Sequence, residues 1–401
     1  MKVHQTDFSR GSVYRNIMEV AVPMMIAQIL NLLYNVVDRM YIGRIPETGM
    51  VALTGVGLCF PIITLITAFS YLFGNGGGPL CAIERGKGDQ KEAQMLMGNT
   101  FFMLIITGIC LTVLGLAFYR PVLYAFGASD LTFPYARGYI QIYLLGTVFV
   151  MISLGMNPFI NNQGFGNIGM LTVLIGAVLN IILDPVFIFG LSMGVQGAAL
   201  GTVISQMCSA AWVLKFLTGK KVPLKLTVKS MKVSLRRVKN IVSLGFSGFI
   251  MAFTNSLVQI VCNATLSVYG GDLYVGVMTV LNSVREIFTM PVMGLTNGAS
   301  PVLSFNYGEG AYKRVEKGIV FTAGICFVYT LAAWALIEVC PEFFIHIFNS
   351  DPSLIEASVP ALHIYFFGFC FMALQFSGQC VFVALGKAQK ATFFSLFRKV
   401  V

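Results

Sequence analysis

"NGGGPLCAIERGKGDQK" (75–91) and "NGASPVLSFNYGEGAYK" (297–313) align without a gap at a shift of 222 residues. Asn75 falls on Asn297, Gly76 on Gly298, Pro79 on Pro301, Gly86 on Gly308, Gly88 on Gly310 and Lys91 on Lys313. The same shift carries Phe126 onto Phe348, Tyr143 onto Tyr365, Gly146 onto Gly368 and Gly164 onto Gly386. One register held over about 90 residues is the mark of an internal duplication.

The surroundings of the repeat set its solvent. The 401 residues are 56% hydrophobic and 11% charged, with a mean hydropathy of +0.79. Soluble domains carry about 25% charged residues, so this composition belongs in a bilayer. Crossing the hydrocarbon takes roughly 20 apolar residues in a helix. Such runs lie at 17–38, 51–73, 96–118, 136–158, 168–189, 195–216, 240–264, 273–297, 319–339 and 358–384, and another begins near 391. A transmembrane barrel would show short alternating strands instead. The expected fold is therefore all-α and polytopic.

Six spans per copy is an even number, so both copies enter the membrane the same way up. Two six-helix lobes related by a pseudo-two-fold axis along the membrane normal are the expected architecture. The expected division is an N-terminal lobe over 1–216, a basic linker over 217–239 and a C-terminal lobe over 240–401. Val401 is the counterpart of Leu179, so the second lobe is read as truncated and its parent as having twelve helices. The first 15 residues are polar and the first apolar run is of full length, so no removable signal peptide is expected.

Charge sets the expected orientation. The segments 1–15, 75–95, 215–239, 305–318 and 386–391 hold 20 of the 27 Lys and Arg, whereas the opposite side has Arg39, Arg44, Arg120 and Arg137. The positive-inside rule puts the N-terminus and the linker on the cytoplasmic side of a multi-pass membrane protein. The linker stretch "TGKKVPLKLTVKSMKVSLRRVK" is basic without acids. It is read as lying against anionic lipid head groups rather than binding nucleic acid. Nine scattered cysteines and three histidines show no ligand-like spacing, and no nucleophile–base arrangement emerges, so neither an enzyme nor a cofactor is expected.

The acids within the spans are few. Asp184 sits in "TVLIGAVLNIILDPVFIFG" (172–190), and Asp38 lies toward the far end of the first span. A charge at mid-membrane costs at least about 2.5–3.5 kcal/mol, so such acids are functional candidates by default. The first and fifth spans run in the same direction, which puts both acids at similar depth. Asn180 and Asp184 are four residues apart, hence on one helical face. Pro185 has no N–H for the Ile181 carbonyl, leaving an acceptor beside the carboxylate. Two carboxylates close together in low dielectric cannot both stay ionised cheaply, so the pair is suited to take a proton, or Na+ with help from Asn180 and Thr202.

Several stretches resemble the multidrug and toxic compound extrusion (MATE) family, in its prokaryotic DinF-like branch. They are "AVPMMIAQILNLLYNVVDRMYIG", "NPFINNQGFGN", "LNIILDPVFIFG", "GVQGAALGTVISQ" and "ALGKAQKATFFSLFRKV". The resemblance spans essentially the whole chain and implies export of organic cations and other toxic compounds driven by inward H+ or Na+. Its prokaryotic branch implies that the membrane is the inner (plasma) membrane of a bacterial or archaeal cell. It implies a coupling-ion site at Asp38, Asn180, Asp184 and Thr202, with Tyr139 and Asn157 as polar neighbours and Pro23 where the first helix bends. The same four residues would be the metal ligands if the ion is Na+.

Each of these residues also has a structural reading. Asp38 could pair with Arg39 or Arg44, Asp184 could bond a neighbouring helix, and Thr202 could bond back to its own helix. Tyr139 and Asn157 suit helix packing and capping, and Pro23 an ordinary tolerated kink. Glu286, beside Arg285 in the eighth span, either meets a cationic compound in the cleft or satisfies Arg398. The second copy puts Ile260 where the first has Asp38, which places coupling in the N-terminal lobe. Methionines and aromatics in the cleft would suit planar lipophilic cations.

The expected activity is a multidrug efflux antiporter working by alternating access, with small-molecule drugs and lipid as partners, no nucleic acid, and a monomer as the unit. The alternative is a flippase for a lipid-linked oligosaccharide, which would want more Arg and Lys in the cleft than Arg285, Arg398 and Lys399 supply.

Overall fold

In a computed structural model the chain is described over residues 5–220, 222–348 and 352–400, with some side chains between 255 and 275 and those of 398–400 left aside. Among the described residues there is no β-strand. The first half comprises α1 (Val13–Gly43), α2 (Gly49–Gly57), α3 (Phe60–Gly86), α4 (Gln90–Ala125), α5 (Phe133–Leu145), α6 (Thr147–Asn161), α7 (Gly166–Pro185) and α8 (Val195–Leu217). The second comprises α9 (Leu235–Gly308), α10 (Tyr312–Val339), α11 (Pro341–His346), α12 (Pro352–Phe366), α13 (Phe369–Ala384) and α14 (Ala388–Val400).

Hydropathy resolves these into membrane crossings. Among the described residues five helices are long and apolar enough to span alone, and three bent pairs supply one span each. The pairs are α2 with α3 (42°), α5 with α6 (57°) and α12 with α13 (47°). The remaining two expected spans lie in α9, whose two arms meet at Gly271 with φ 64° and ψ −167°. That backbone is open to glycine and strained for any residue with a Cβ. The ten expected spans thus have helical counterparts, and the chain is a multi-pass membrane protein.

The duplication is visible in the backbone. Gly88 and Gly310 end equivalent helices with φ of 84° and 79°, and Gly164 and Gly386 turn equivalent corners with φ of 87° and 68°. Gly146, at the α5–α6 bend, has its counterpart in Gly368, which caps α13 at the α12–α13 bend. Conformations that only glycine adopts cheaply therefore recur at the same shift as the letters.

The two halves touch where glycine lets backbones meet. A Cβ on Gly86 would lie 2.0 Å from the Phe305 carbonyl oxygen, and one on Gly308 would lie 2.0 Å from the Ile83 carbonyl oxygen. Exchanging the two copies at the 222-residue shift turns the first pair into the second, so the contact is isologous within one chain. Further along, a Cβ on Gly76 would meet Ile241 O at 2.1 Å, and one on Gly298 would meet Ala21 Cα at 2.3 Å. Gly245 presses on Leu72 and Gly294 on Met25 in the same way.

These contacts gather toward the end of the bundle that carries the N-terminal segment and the linker, called here the basic face. Residues 5–11 run across it. Thr6 N donates to Gly164 O at 2.9 Å on one half. On the other, Arg314 donates to Phe8 O at 2.9 Å and to Gly11 O at 2.7 Å, and the buried Phe8 ring packs edge-on against Phe305. Ser9 donates from both N and Oγ to Asp7, which holds that carboxyl below the usual aspartate range. Arg85 bridges the halves as well, hydrogen-bonding Asn162 O and lying 5.5 Å from the Phe305 ring centre. The linker is tied to α4, where Asn99 donates to Lys232 O and accepts from Ser234 N, and Arg237 grips Glu92 through two bonds of 2.7 and 2.8 Å.

Candidate cation site

The site is built from α1, α7 and α8. Asn180 and Asp184 sit on the buried face of α7, 2% and 0% exposed. Asn180 Nδ2 donates to Asp184 Oδ1 at 2.9 Å and lies 3.3 Å from Thr202 Oγ1 on α8. The Asp38 carboxyl comes from α1 into hydrogen-bonding reach of Asp184. All four residues carried over from the resemblance are therefore brought together. The helix loses its ordinary pitch here, since Pro185 ends α7 and a π-helical turn follows over Val186–Gly190. Such turns commonly accompany functional sites.

No basic partner closes the acids off. Neither Asp38 nor Asp184 forms a salt bridge among the described residues. Arg39 adds attraction to Asp38, but its guanidinium sits 4.6 Å above the Phe60 ring. Asp38 Oδ1, Asp184 Oδ2 and Asn180 Oδ1 are buried and accept no hydrogen bond. Leaving a buried acceptor unmade costs about 1–3 kcal/mol, more if it is charged. Oxygens are hard donors, so acceptors of this kind suit a proton or Na+. Among the described residues no three His, Cys, Asp or Glu converge as a softer metal would need.

Tyr139, 4% exposed, meets the Thr202 side chain, feels the Asp38 charge and stacks on Tyr143 with ring centres 6.1 Å apart. It belongs to the wall of this site. Asn157 has a structural bond instead, donating to Gly169 O at 3.2 Å and so tying α6 to α7. Pro23 is buried within α1, which runs through it as one helix of 31 residues. Glu286 is exposed on the second arm of α9, while its neighbour Arg285 lies 5.9 Å from the centre of the Tyr365 ring, whose hydroxyl bonds Asn282 at 3.0 Å. The alternative Glu286 partner, Arg398, has its side chain outside the described residues.

Two members of the site escaped sequence reasoning. Tyr34 lies in the field of both acids; its place four residues before Asp38 was the available signal. Gly201 faces Asp184 so closely that a Cβ there would lie 2.4 Å from Oδ1. Only its position beside Thr202 hinted at that.

The MatE family profile matches residues 23–186 and 248–401, one stretch in each half. The chain belongs to the MatE family. Membership agrees with the expectation that it is a transporter and not an enzyme. Among relatives of this MatE chain, the multidrug export protein MepA of Staphylococcus haemolyticus (strain JCSC1435) is 25% identical over 396 residues, covering 98% of this chain and 86% of the relative. MepA of Staphylococcus aureus (strain MRSA252) is 24% identical over 398 residues, with the same coverage. A solved structure described as the outward-facing conformation of a multidrug resistance MATE family transporter of the MOP superfamily superposes with a TM-score of 0.92. It is 23% identical and covers 100% of this chain and 88% of that one. A MATE structure in the bent conformation gives 0.91 at 24% identity, covering 98% and 87%. At these identities the likeness shows that the MatE chain shares their fold.

Proposed function

We propose that this chain is a multidrug efflux antiporter, exporting organic cations and other toxic compounds in exchange for H+ or Na+ by alternating access. The observation that carries the reading is the meeting of Asp38 and Asp184, two membrane-embedded acids on different helices with no ion-pair partner among the described residues. The relatives named as multidrug export proteins support the cargo class.

In this reading the basic face is cytoplasmic, by the positive-inside rule. The glycine contacts and the 5–11 segment hold that side shut while the acids load their cation from outside. Loading offsets a negative charge of the pair and relieves its self-repulsion, and that gain differs between the two conformations, which is what a coupling ion needs to shift their populations. Asn180, Thr202, Tyr34 and Tyr139 orient the acids. Pro23 gives α1 a missing hydrogen bond at which it bends during the change.

The test is dye export and drug resistance in cells making the wild type, Asp38→Asn or Asp184→Asn at equal membrane levels. Both variants are expected to insert normally and to lose export. Normal resistance with Asp38→Asn would remove the proposed engine.

A further inference from the structure

We propose that the coupling cation leaves the acid pair along a stripe of carboxamides on α1, and that Gly294 and Gly298 of the second half close the far end of this route. The inference rests on the coupling role proposed for Asp38.

Gln28, Asn31, Asn35 and Asp38 are spaced three, four and three residues apart, which lines them along one face of a helix. All four are half-buried rather than turned fully outward. Asn35 Nδ2 donates to Asn31 O at 2.7 Å and lies 3.3 Å from Asn31 Oδ1, so adjacent turns are already linked. Tyr34, next to Asn35 and four residues before Asp38 on the same helix, sits in the field of both acids and joins the stripe to the site. A carboxamide offers a donor and an acceptor together, so it can hand on a proton through ordered water or replace part of the hydration of Na+. Polar side chains within a span are costly and mark ion pathways.

The internal duplication supplies a control. At the shift of 222 the stripe reads Ile250, Phe253, Leu257 and Ile260, wholly apolar. The duplicated helix therefore shows that the span itself has no need of these amides. They occur in the copy that has the acid.

The stripe also ends at a seal. Continuing the same face toward the basic end brings Met24 and then Ala21, which is 0% exposed. There the second arm of α9 lies on α1: a Cβ on Gly298 would be 2.3 Å from Ala21 Cα, and one on Gly294 would be 2.6 Å from Met25 Cα. Backbone contact that close excludes water. The route is thus closed while the halves touch and opens when they part, which is when an inward-moving cation must be released.

The experiment uses the full chain in liposomes, with dye efflux driven by an imposed proton gradient and then a sodium gradient. Asn31→Leu and Asn35→Leu should slow driven efflux about tenfold or more, with dye affinity unchanged and Asn→Gln at each position restoring much of the rate. Independently, a membrane-impermeant thiol reagent applied from the basic face should label Gln28→Cys above the unsubstituted chain, and faster when Gly298→Ala is added. Wild-type efflux in both leucine variants, or no labelling of Gln28→Cys with or without Gly298→Ala, would overturn the route. If the leucine variants fail to insert, the labelling decides. Full activity of Asp38→Asn would instead overturn the coupling role beneath it.

Discussion

Gly201 brings α8 against α7 so tightly that a Cβ on it would lie 2.4 Å from Asp184 Oδ1. The atom it would strike is the end of a side chain, so the backbone need not move; the carboxylate must. Gly201→Ala is therefore expected to lower thermal stability in detergent by no more than the about 1–3 kcal/mol of the Asn180 bond it disturbs, and to cut export about tenfold or more, the factor set by about 1.4 kcal/mol of misplacement. Dye efflux at the wild-type rate would show that the position of Asp184 is not critical.

Asn180 and Thr202 should rank in that order. Asn180 is the donor to Asp184 Oδ1, whereas Thr202 lies 3.3 Å behind it. Asn180→Ala strips a buried carboxyl of its partner, a loss of about 1–3 kcal/mol. Thr202→Val keeps the shape and that bond. Transport assays should find the first variant far weaker than the second, and the reverse order would mean that the hydroxyl touches the cation directly.

Gly86 and Gly308 are interchanged by the duplication, each facing a backbone carbonyl at 2.0 Å for an added Cβ. Alanine at either site must part the halves, at a cost of about 1–3 kcal/mol. The two variants should lower the thermal midpoint by similar amounts and raise thiol-reagent labelling of cysteines placed at the contact from the basic face. A large effect at one site and none at the other would contradict the isologous contact.

Phe8 fastens the N-terminal segment across both halves. It is 3% exposed, and Phe→Ala in a packed site costs about 3–5 kcal/mol. Phe8→Ala should lower the melting temperature and expose the Phe305 region to proteolysis or labelling. An unchanged melting curve would mean that the segment only rests on the surface.

Much of this could be read from the letters because it rests on local rules. Continuous apolar runs dictate spans, and the shift of 222 matched Gly88 to Gly310 and Gly164 to Gly386, where the backbone needs positive φ in both copies. Asp38 and Asp184 stood out because lipid makes an acid costly. The breaks at Gly146 and near Gly368 were hidden, since a hydropathy run averages over a bend. The role of Gly201 was hidden because glycine records only what is missing, and its partner is set by how α7 and α8 cross. Asn157 enters as a polar neighbour only through the resemblance, and its bond to Gly169 O depends on packing that the sequence does not display.

The most direct test of the central claim is ion movement itself. Purified protein in sealed liposomes is given dye and either a proton or a sodium gradient, and dye and ion fluxes are recorded together for the wild type, Asp38→Asn and Asp184→Asn. One of the two gradients should drive dye uphill in the wild type, with the ion moving the opposite way, and neither variant should show coupled flux. Uphill dye transport by both variants at the wild-type rate would contradict the account.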